Sequence, residues 1–321
     1  MKAAVLHATG APPHFEQFAE PTAGADEAVI HVLAAALKPV DRQMAAGSHF
    51  ASPREFPAIC GTDGVGHLDD GTRVFFGGPR RPFGAMAERT VVPREFCFPI
   101  PAELDDTTAA AVTNPGVSSW LSLTHGARLA AGERVLILGA TGVTGKLAVE
   151  MAKLLGASYV VAAGRNQQAL DLLGERGADA TVQINQPDAE LRKAFAREAG
   201  DKGFNVVIDY LWGHPTEVLL SAITRSEFAP SACETRLFQA GESAGPTICL
   251  PAAVLRSTAL TILGTAGIPP RDLLVSAFQQ VMDRAARGEI RVDIEQVPLA
   301  DIEQAWSRPD TGGRRLVIVP V

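Results

Sequence analysis

Three glycines at three-residue spacing, Gly139, Gly142 and Gly145, follow a strand-length run, Arg134 to Leu138. They precede a segment in which Leu147, Met151, Leu154 and Leu155 recur at helical period. A buried strand that enters a helix through such a turn leaves free backbone amides at the helix N-terminus. Those amides bind negative charge, and the missing side chains let a pyrophosphate approach the chain. The spacing G-x-x-G-x-x-G departs from the commoner G-x-G-x-x-G fingerprint, and a tight turn without ligand is the alternative for a bare triplet. The flanking strand and helix favour a dinucleotide turn made of Gly139, Ala140, Thr141, Gly142, Val143, Thr144 and Gly145.

The next strand signature, Ser158 to Ala163, runs into Gly164-Arg165-Asn166. An NAD site commonly carries an acidic residue here for the ribose hydroxyls. A carboxylate would repel a 2′-phosphate, whereas a guanidinium grips it with charge-assisted bonds, so Arg165 predicts NADPH over NADH. A solvated surface arginine is the competing reading.

The elements that must position these groups alternate. Strands are expected near 134–138, 158–163, 181–184, 205–209, 236–240 and 260–264, with helical patterns between them, which predicts an α/β fold with a doubly wound parallel Rossmann sheet. The first third differs: β-like runs at Ala28–Leu33 and Arg73–Phe76 are punctuated by Pro12, Pro13, Pro57, Gly61, Gly64 and Gly66, which predicts an all-β lobe. A helix capped by Asp105 or Asp106 leads out of it. Pro269-Pro270 open a helix that Gly288 stops, a short helix covers 301–306, and a strand at Arg315–Val319 returns to the first lobe. The stretch 225–235 takes no element, and reads either as a loop over the nicotinamide end or as a surface connection.

At 321 residues the chain exceeds what one core usually supports, so two lobes are expected. Its 46% hydrophobic and 20% charged content suits a well-cored protein. The net charge of −7, without a basic stripe, makes nucleic acid and anionic membranes poor partners. No signal-peptide pattern or bilayer-length apolar run is present, so a cytoplasmic enzyme for a small-molecule substrate is expected. Cys60, Cys97, Cys233 and Cys249 form no C-x-x-C pair, which suits reduced thiols. No G-x-S-x-G elbow supports hydrolase chemistry.

The chain resembles the medium-chain dehydrogenase/reductase superfamily and, within it, the zinc-independent quinone oxidoreductase group. The resemblance rests on the glycine turn, on Lys38-Pro39-Val40-Asp41 for N-P-V-D, and on Pro57 to Gly66 for P-x-x-x-G-x-D-x-x-G. It extends through Phe98 to Leu104, Leu237 to Gly241, Leu260 to Thr265 and the closing Gly312 to Val319. It implies a GroES-like β-barrel catalytic lobe (1–117 and 267–321), a Rossmann NADP-binding lobe (118–266) and a homodimer through the edge at Leu260–Gly264. It also implies NADPH-dependent hydride transfer to a quinone or α,β-unsaturated carbonyl. A metal-free carbonyl reductase or alcohol dehydrogenase, and an NADPH-binding redox sensor, are the alternatives.

Zinc-dependent relatives carry cysteine, histidine and cysteine where this chain has Lys38, Thr62 and Asn114, none of which is a good zinc ligand, so no metal is expected. The resemblance sets Asn114 and Ser118 beside the nicotinamide and adds Gly241 to the cofactor contacts. Lys38 either stabilises charge on the acceptor oxygen or pairs with Asp41 or Asp63. His49, in a segment that lines the substrate cleft of relatives, either relays a proton or is simply solvated. Asp41 and Asp63 are expected to hold turns.

Overall fold

In the computed structural model, residues 1–224, 233–265, 267, 269–308 and 313–320 are described. They form two compact units, Met1–Asn114 with Gln280–Val321, and Pro115–Gln279.

The first unit opens with β1 (Lys2–Leu6), β2 (His14–Gln17), β3 (Glu27–Leu37), α1 (Pro39–Ala45), β4 (Ala58–Ile59) and β5 (Asp63–His67). β6 (Arg73–Gly77), β7 (Arg89–Pro93) and β8 (Cys97–Pro99) follow, before α2 (Asp106–Leu121). β3 is the spine of this unit. Its alternating Ala28, Ile30 and Val32 face the core, and a register irregularity between Val32 and Ala34 precedes a fully buried end. Gly66 allows β5 to cross it closely, since a Cβ there would stand 2.3 Å from the His31 carbonyl oxygen. Asp105 caps α2 by accepting from Thr108 N at 2.9 Å.

The second unit holds β9 (Arg134–Leu138), α3 (Val143–Leu154), β10 (Tyr159–Gly164), α4 (Gln167–Asp171), β11 (Ala180–Gln183) and α5 (Asp188–Ala199). β12 (Val206–Asp209), α6 (Gly213–Ile223), β13 (Glu234–Gln239), α7 (Ala252–Ser257) and β14 (Ala259–Gly264) complete it. All six strands are parallel in the order β11-β10-β9-β12-β13-β14. Val135 to Leu138 are entirely buried, as expected of a central strand covered on both faces.

Helix α8 (Arg271–Ala286) leads back to β15 (Ile294–Pro298), α9 (Ile302–Ser307) and β16 (Arg315–Val319). β16 pairs with β3 and β15, completing a sheet ordered β15-β16-β3-β5-β6-β8, with β7 also on β3. The fold is a parallel Rossmann unit with a GroES-like β unit. The unit limits fall at 114/115 and 279/280, inside α2 and α8, whereas the resemblance implies 117/118 and 266/267. Helical periodicity does not change where one helix leaves one core for another, so these limits carry no sequence signal. Of the unassigned stretch 225–235, residues 225–232 lie outside the described residues, and Glu234 already starts β13.

Candidate functional site

The glycine turn joins the carboxyl end of β9 to α3, and each glycine answers a different demand. Gly139 takes φ +86°, which places its N–H and that of Ala140 at 2.9 Å from the Ala163 carbonyl. Gly145 packs the helix onto the turn, where a Cβ would stand 2.2 Å from the Gly139 oxygen. Gly142 is exposed, and a Cβ on it would meet only that same oxygen, at 3.5 Å. It is the N-cap of α3 and offers no side-chain cap. The first bond back into the helix runs from Lys146 N to Gly142 O at 2.9 Å. The amides of Val143, Thr144 and Gly145 precede it without an intrahelical acceptor, so this cradle fits an anion such as a pyrophosphate.

At the end of β10, Gly164 is buried against Thr141, whose Cγ2 would lie 2.4 Å from a Cβ there. Arg165 is exposed, and its guanidinium has no partner among the described residues, although its carbonyl accepts from Gln183 Nε2 at 2.8 Å. Asn166 caps α4 by accepting from Ala169 N at 3.1 Å, so its side-chain oxygen is engaged. Gly241 donates its N–H to Asp209 O at 3.1 Å, and its bare Cα permits close approach to the Tyr210 carbonyl.

Three residues outside the predicted set bind these parts together. Asp209, fully buried at the end of β12, accepts from Leu211 N (2.8 Å), Trp212 N (2.9 Å) and the Thr216 hydroxyl (2.5 Å). Burial pushes its carboxyl above the ordinary range, while those hydrogen bonds oppose the shift. They hold Trp212 at φ +55°, an uncommon conformation for a bulky side chain. Tyr210 donates to Ser119 Oγ at 3.3 Å, and burial pushes its phenol up to about 12. The Ser119 hydroxyl lies 2.9 Å from both the Pro115 and the Thr144 carbonyl oxygens, and so fastens α2 to the first turn of α3. Ser118, its predicted neighbour, points the other way and is exposed.

The other unit holds a buried charge cluster. Lys38, 2% exposed, places Nζ at 3.0 Å from Asp63 Oδ1, 3.4 Å from Asp41 Oδ2 and 3.1 Å from the Ala36 carbonyl. Two of its N–H groups thus meet hydrogen-bond acceptors, and the ammonium is also ion-paired with Asp41, so its charge is already held by two carboxylates. That geometry favours the pairing alternative for Lys38 over direct catalysis. Burial pulls the ammonium's pKa down, but Asp41 and Asp63 outweigh it and the net shift is upward. Burial likewise raises Asp41, against the pull of Lys38. Thr62 donates to Asp63 Oδ2 at 3.0 Å and Asn114 Nδ2 to the same oxygen at 3.4 Å, so Lys38, Thr62 and Asn114 converge on one carboxylate. Arg315, also buried, donates to Leu37 O. The His49 ring packs on Phe50, with centroids 4.3 Å apart, and its Nδ1 accepts from Ala51 N. Among the described residues, no group of three or more His, Cys, Asp or Glu side chains is arranged to hold a metal ion, and no helix is long and apolar enough to cross a membrane.

Residues 143–226 match the zinc-binding dehydrogenase family. A rat quinone oxidoreductase is 29% identical over 199 residues, covering 60% of this chain and 59% of that protein. The quinone oxidoreductase from Thermus thermophilus, solved also in complex with NADPH, superposes with a TM-score of 0.80 at 27% identity over 99% of this chain and 100% of its own. The chain is similar to the quinone oxidoreductase-like members of the medium-chain dehydrogenase/reductase superfamily. A trans-enoyl reductase of Aspergillus terreus is a further relative, 28% identical over 227 residues, 62% of this chain and 58% of that protein. The chain thus spans about three fifths of these two curated relatives. The family match lies wholly outside the Lys38, Thr62 and Asn114 positions, so the word zinc in its description does not bear on them.

Proposed function

We propose that this protein is an NADPH-dependent, zinc-independent reductase of quinones or α,β-unsaturated carbonyls. The observation that carries the reading is the open glycine cradle at α3 on the same sheet as the exposed Arg165 at the end of β10, whose guanidinium has no partner among the described residues. The amides of Val143, Thr144 and Gly145 would hold the pyrophosphate, and Arg165 the 2′-phosphate. NADPH supplies the hydride when bound. Asn114 and Ser118, one helical turn apart on the exposed face of α2, would contact its nicotinamide end. Zinc independence is supported by the donor chemistry: where relatives carry thiolate and imidazole, this chain carries an ammonium already held by two carboxylates. An electron-poor quinone or enone accepts hydride without a Lewis acid, in keeping with the absence of a free acid among the cluster residues. Loss of nicotinamide absorbance, followed with chelator-treated protein against a quinone, an enone and an aldehyde, tests this reading. NADPH-preferring turnover of quinone or enone is expected. NADPH binding without turnover of any acceptor would favour the redox-sensor alternative.

The homodimer is proposed through β14, the last strand of the parallel sheet, where Ile262 is 36% exposed.

A further inference from the structure

Asn114 stands on the exposed face of α2, yet its Nδ2 is committed to Asp63 Oδ2. A carboxylate can only accept, so the amide nitrogen must face it and the amide oxygen must point away. Asp63 cannot turn to release this grip. Lys38 holds Oδ1 at 3.0 Å, Thr62 donates to Oδ2 at 3.0 Å, and the residue is 5% exposed. Lys38 is itself fixed by Asp41 and the Ala36 carbonyl, and the buried Arg315 adds a second positive charge against the two carboxylates. At the far end of this chain of contacts, Asn114 Oδ1 receives no donor among the described residues.

We propose that Asp63 is a positioning residue that fixes the Asn114 carboxamide with its oxygen outward, making Asn114 an acceptor for an N–H or O–H group of the bound ligand. The inference rests on the NADPH-dependent reductase reading above. Two ligands of that reading carry such a donor: the nicotinamide carboxamide, and the hydroxyl of a reduced quinone. A ligand presenting only lone pairs to a fixed acceptor leaves both unpaired and is rejected.

The test measures two ratios. Fluorescence titration gives the dissociation constants of NADPH and of its reduced 3-acetylpyridine analogue, which has no N–H on the ring substituent. Product inhibition gives those of a hydroquinone and its dimethyl ether. The wild type is expected to prefer the donor-bearing member of one pair by about fivefold to tenfold, the worth of one hydrogen bond, and the pair that responds identifies the source. Asn114→Leu, at an exposed position, should bring that ratio close to one. Asp63→Asn should at least halve it, because an amide at 63 can accept or donate and lets Asn114 face either way. No preference in the wild type, or an unchanged ratio in Asn114→Leu, overturns the proposal. Failure of NADPH to bind the wild type would sink the reductase reading separately. The orientation is then read without cofactor from the ¹⁵N side-chain amide signals of Asn114, assigned by their loss in Asn114→Leu. A shift in Asp63→Asn supports the proposal, and unmoved signals overturn it. Should Asp63→Asn fail to fold, the Asn114→Leu ratios alone decide.

Discussion

Gly145 rests directly on the Gly139 carbonyl: a Cβ would stand 2.2 Å from that oxygen and 2.6 Å from Ala140 Cα. Both obstacles are backbone, so they cannot swing aside. Gly145→Ala should therefore push α3 off the turn, costing about 2–3 kcal/mol as overpacking does and lowering Tm by roughly 4–12 °C. Gly142→Ala is the control, since its φ is −78° and its nearest obstacle lies at 3.5 Å. Thermal unfolding should separate the two, and equal Tm values would contradict the packing role given to Gly145.

Arg165 offers a charge without a partner among the described residues, so removing it should cost binding and not folding. Arg165→Ala should weaken NADPH by about tenfold to a hundredfold, the worth of charge-assisted bonds to a phosphate, and leave NADH unchanged. Tm should stay within about 2 °C of the wild type, as for other exposed substitutions. Titration of both cofactors checks this, and parallel losses for NADPH and NADH would show that Arg165 is not a 2′-phosphate contact.

The parts that can be read from sequence are those whose burial writes a pattern. The strands of the parallel sheet are covered on both faces, so runs such as Val135–Leu138 and Val160–Ala163 stand out as unbroken apolar stretches. The glycine turn is legible because backbone crowding dictates residue type. Contacts between elements distant in sequence leave no such mark. Pairing of Lys38 with Asp63 is among the alternatives the sequence offers, but Asp63 lies 51 residues from Asn114, and nothing in its neighbours says that this amide reaches it as well. Ser119, next to the Ser118 that the resemblance sets beside the nicotinamide, makes a link to α3 that no sequence feature marks, since one residue of helical phase separates an exposed hydroxyl from a buried one. The Asp209 turn is equally silent, since its three hydrogen bonds depend on Trp212 adopting a conformation its side chain disfavours.

Tyr210 should matter for packing and not for proton transfer. Its phenol, pushed up to about 12 by burial, stays protonated across the working range. Tyr210→Phe loses the bond to Ser119 and should cost about 0.5–1.5 kcal/mol. Its pH profile of turnover below pH 9 should overlay that of the wild type. A profile that loses a limb would show that the phenol exchanges protons during the reaction.

Lys38 predicts an alkaline limit to stability. A cation whose value is raised on folding contributes in full below its ordinary 10.5, and that contribution is lost as pH climbs through the folded value. Lys38→Met should be less stable by about 3–5 kcal/mol near pH 8, because it leaves Asp41 and Asp63 buried with too little positive charge beside them. Above pH 10.5 the wild type should lose up to about 1.4 kcal/mol per pH unit through this group while the variant does not, so the gap narrows. Urea unfolding between pH 8 and 11 measures it, and a constant gap would mean that Lys38 does not titrate with unfolding.

The β14 edge makes the last prediction. This strand pairs only with β13 among the described residues, and its burial alternates weakly, leaving Thr261 and Ile262 exposed. An unprotected edge with an apolar side chain recruits another chain unless charge blocks it. Ile262→Lys places that charge on the edge and should shift light scattering from dimer to monomer. NADPH affinity should survive, because β9, which feeds the glycine turn, lies three strands away in the sheet, roughly 14 Å at the usual strand spacing. A dimer that persists in Ile262→Lys at micromolar concentration would place the interface elsewhere. A wild type already monomeric would remove it.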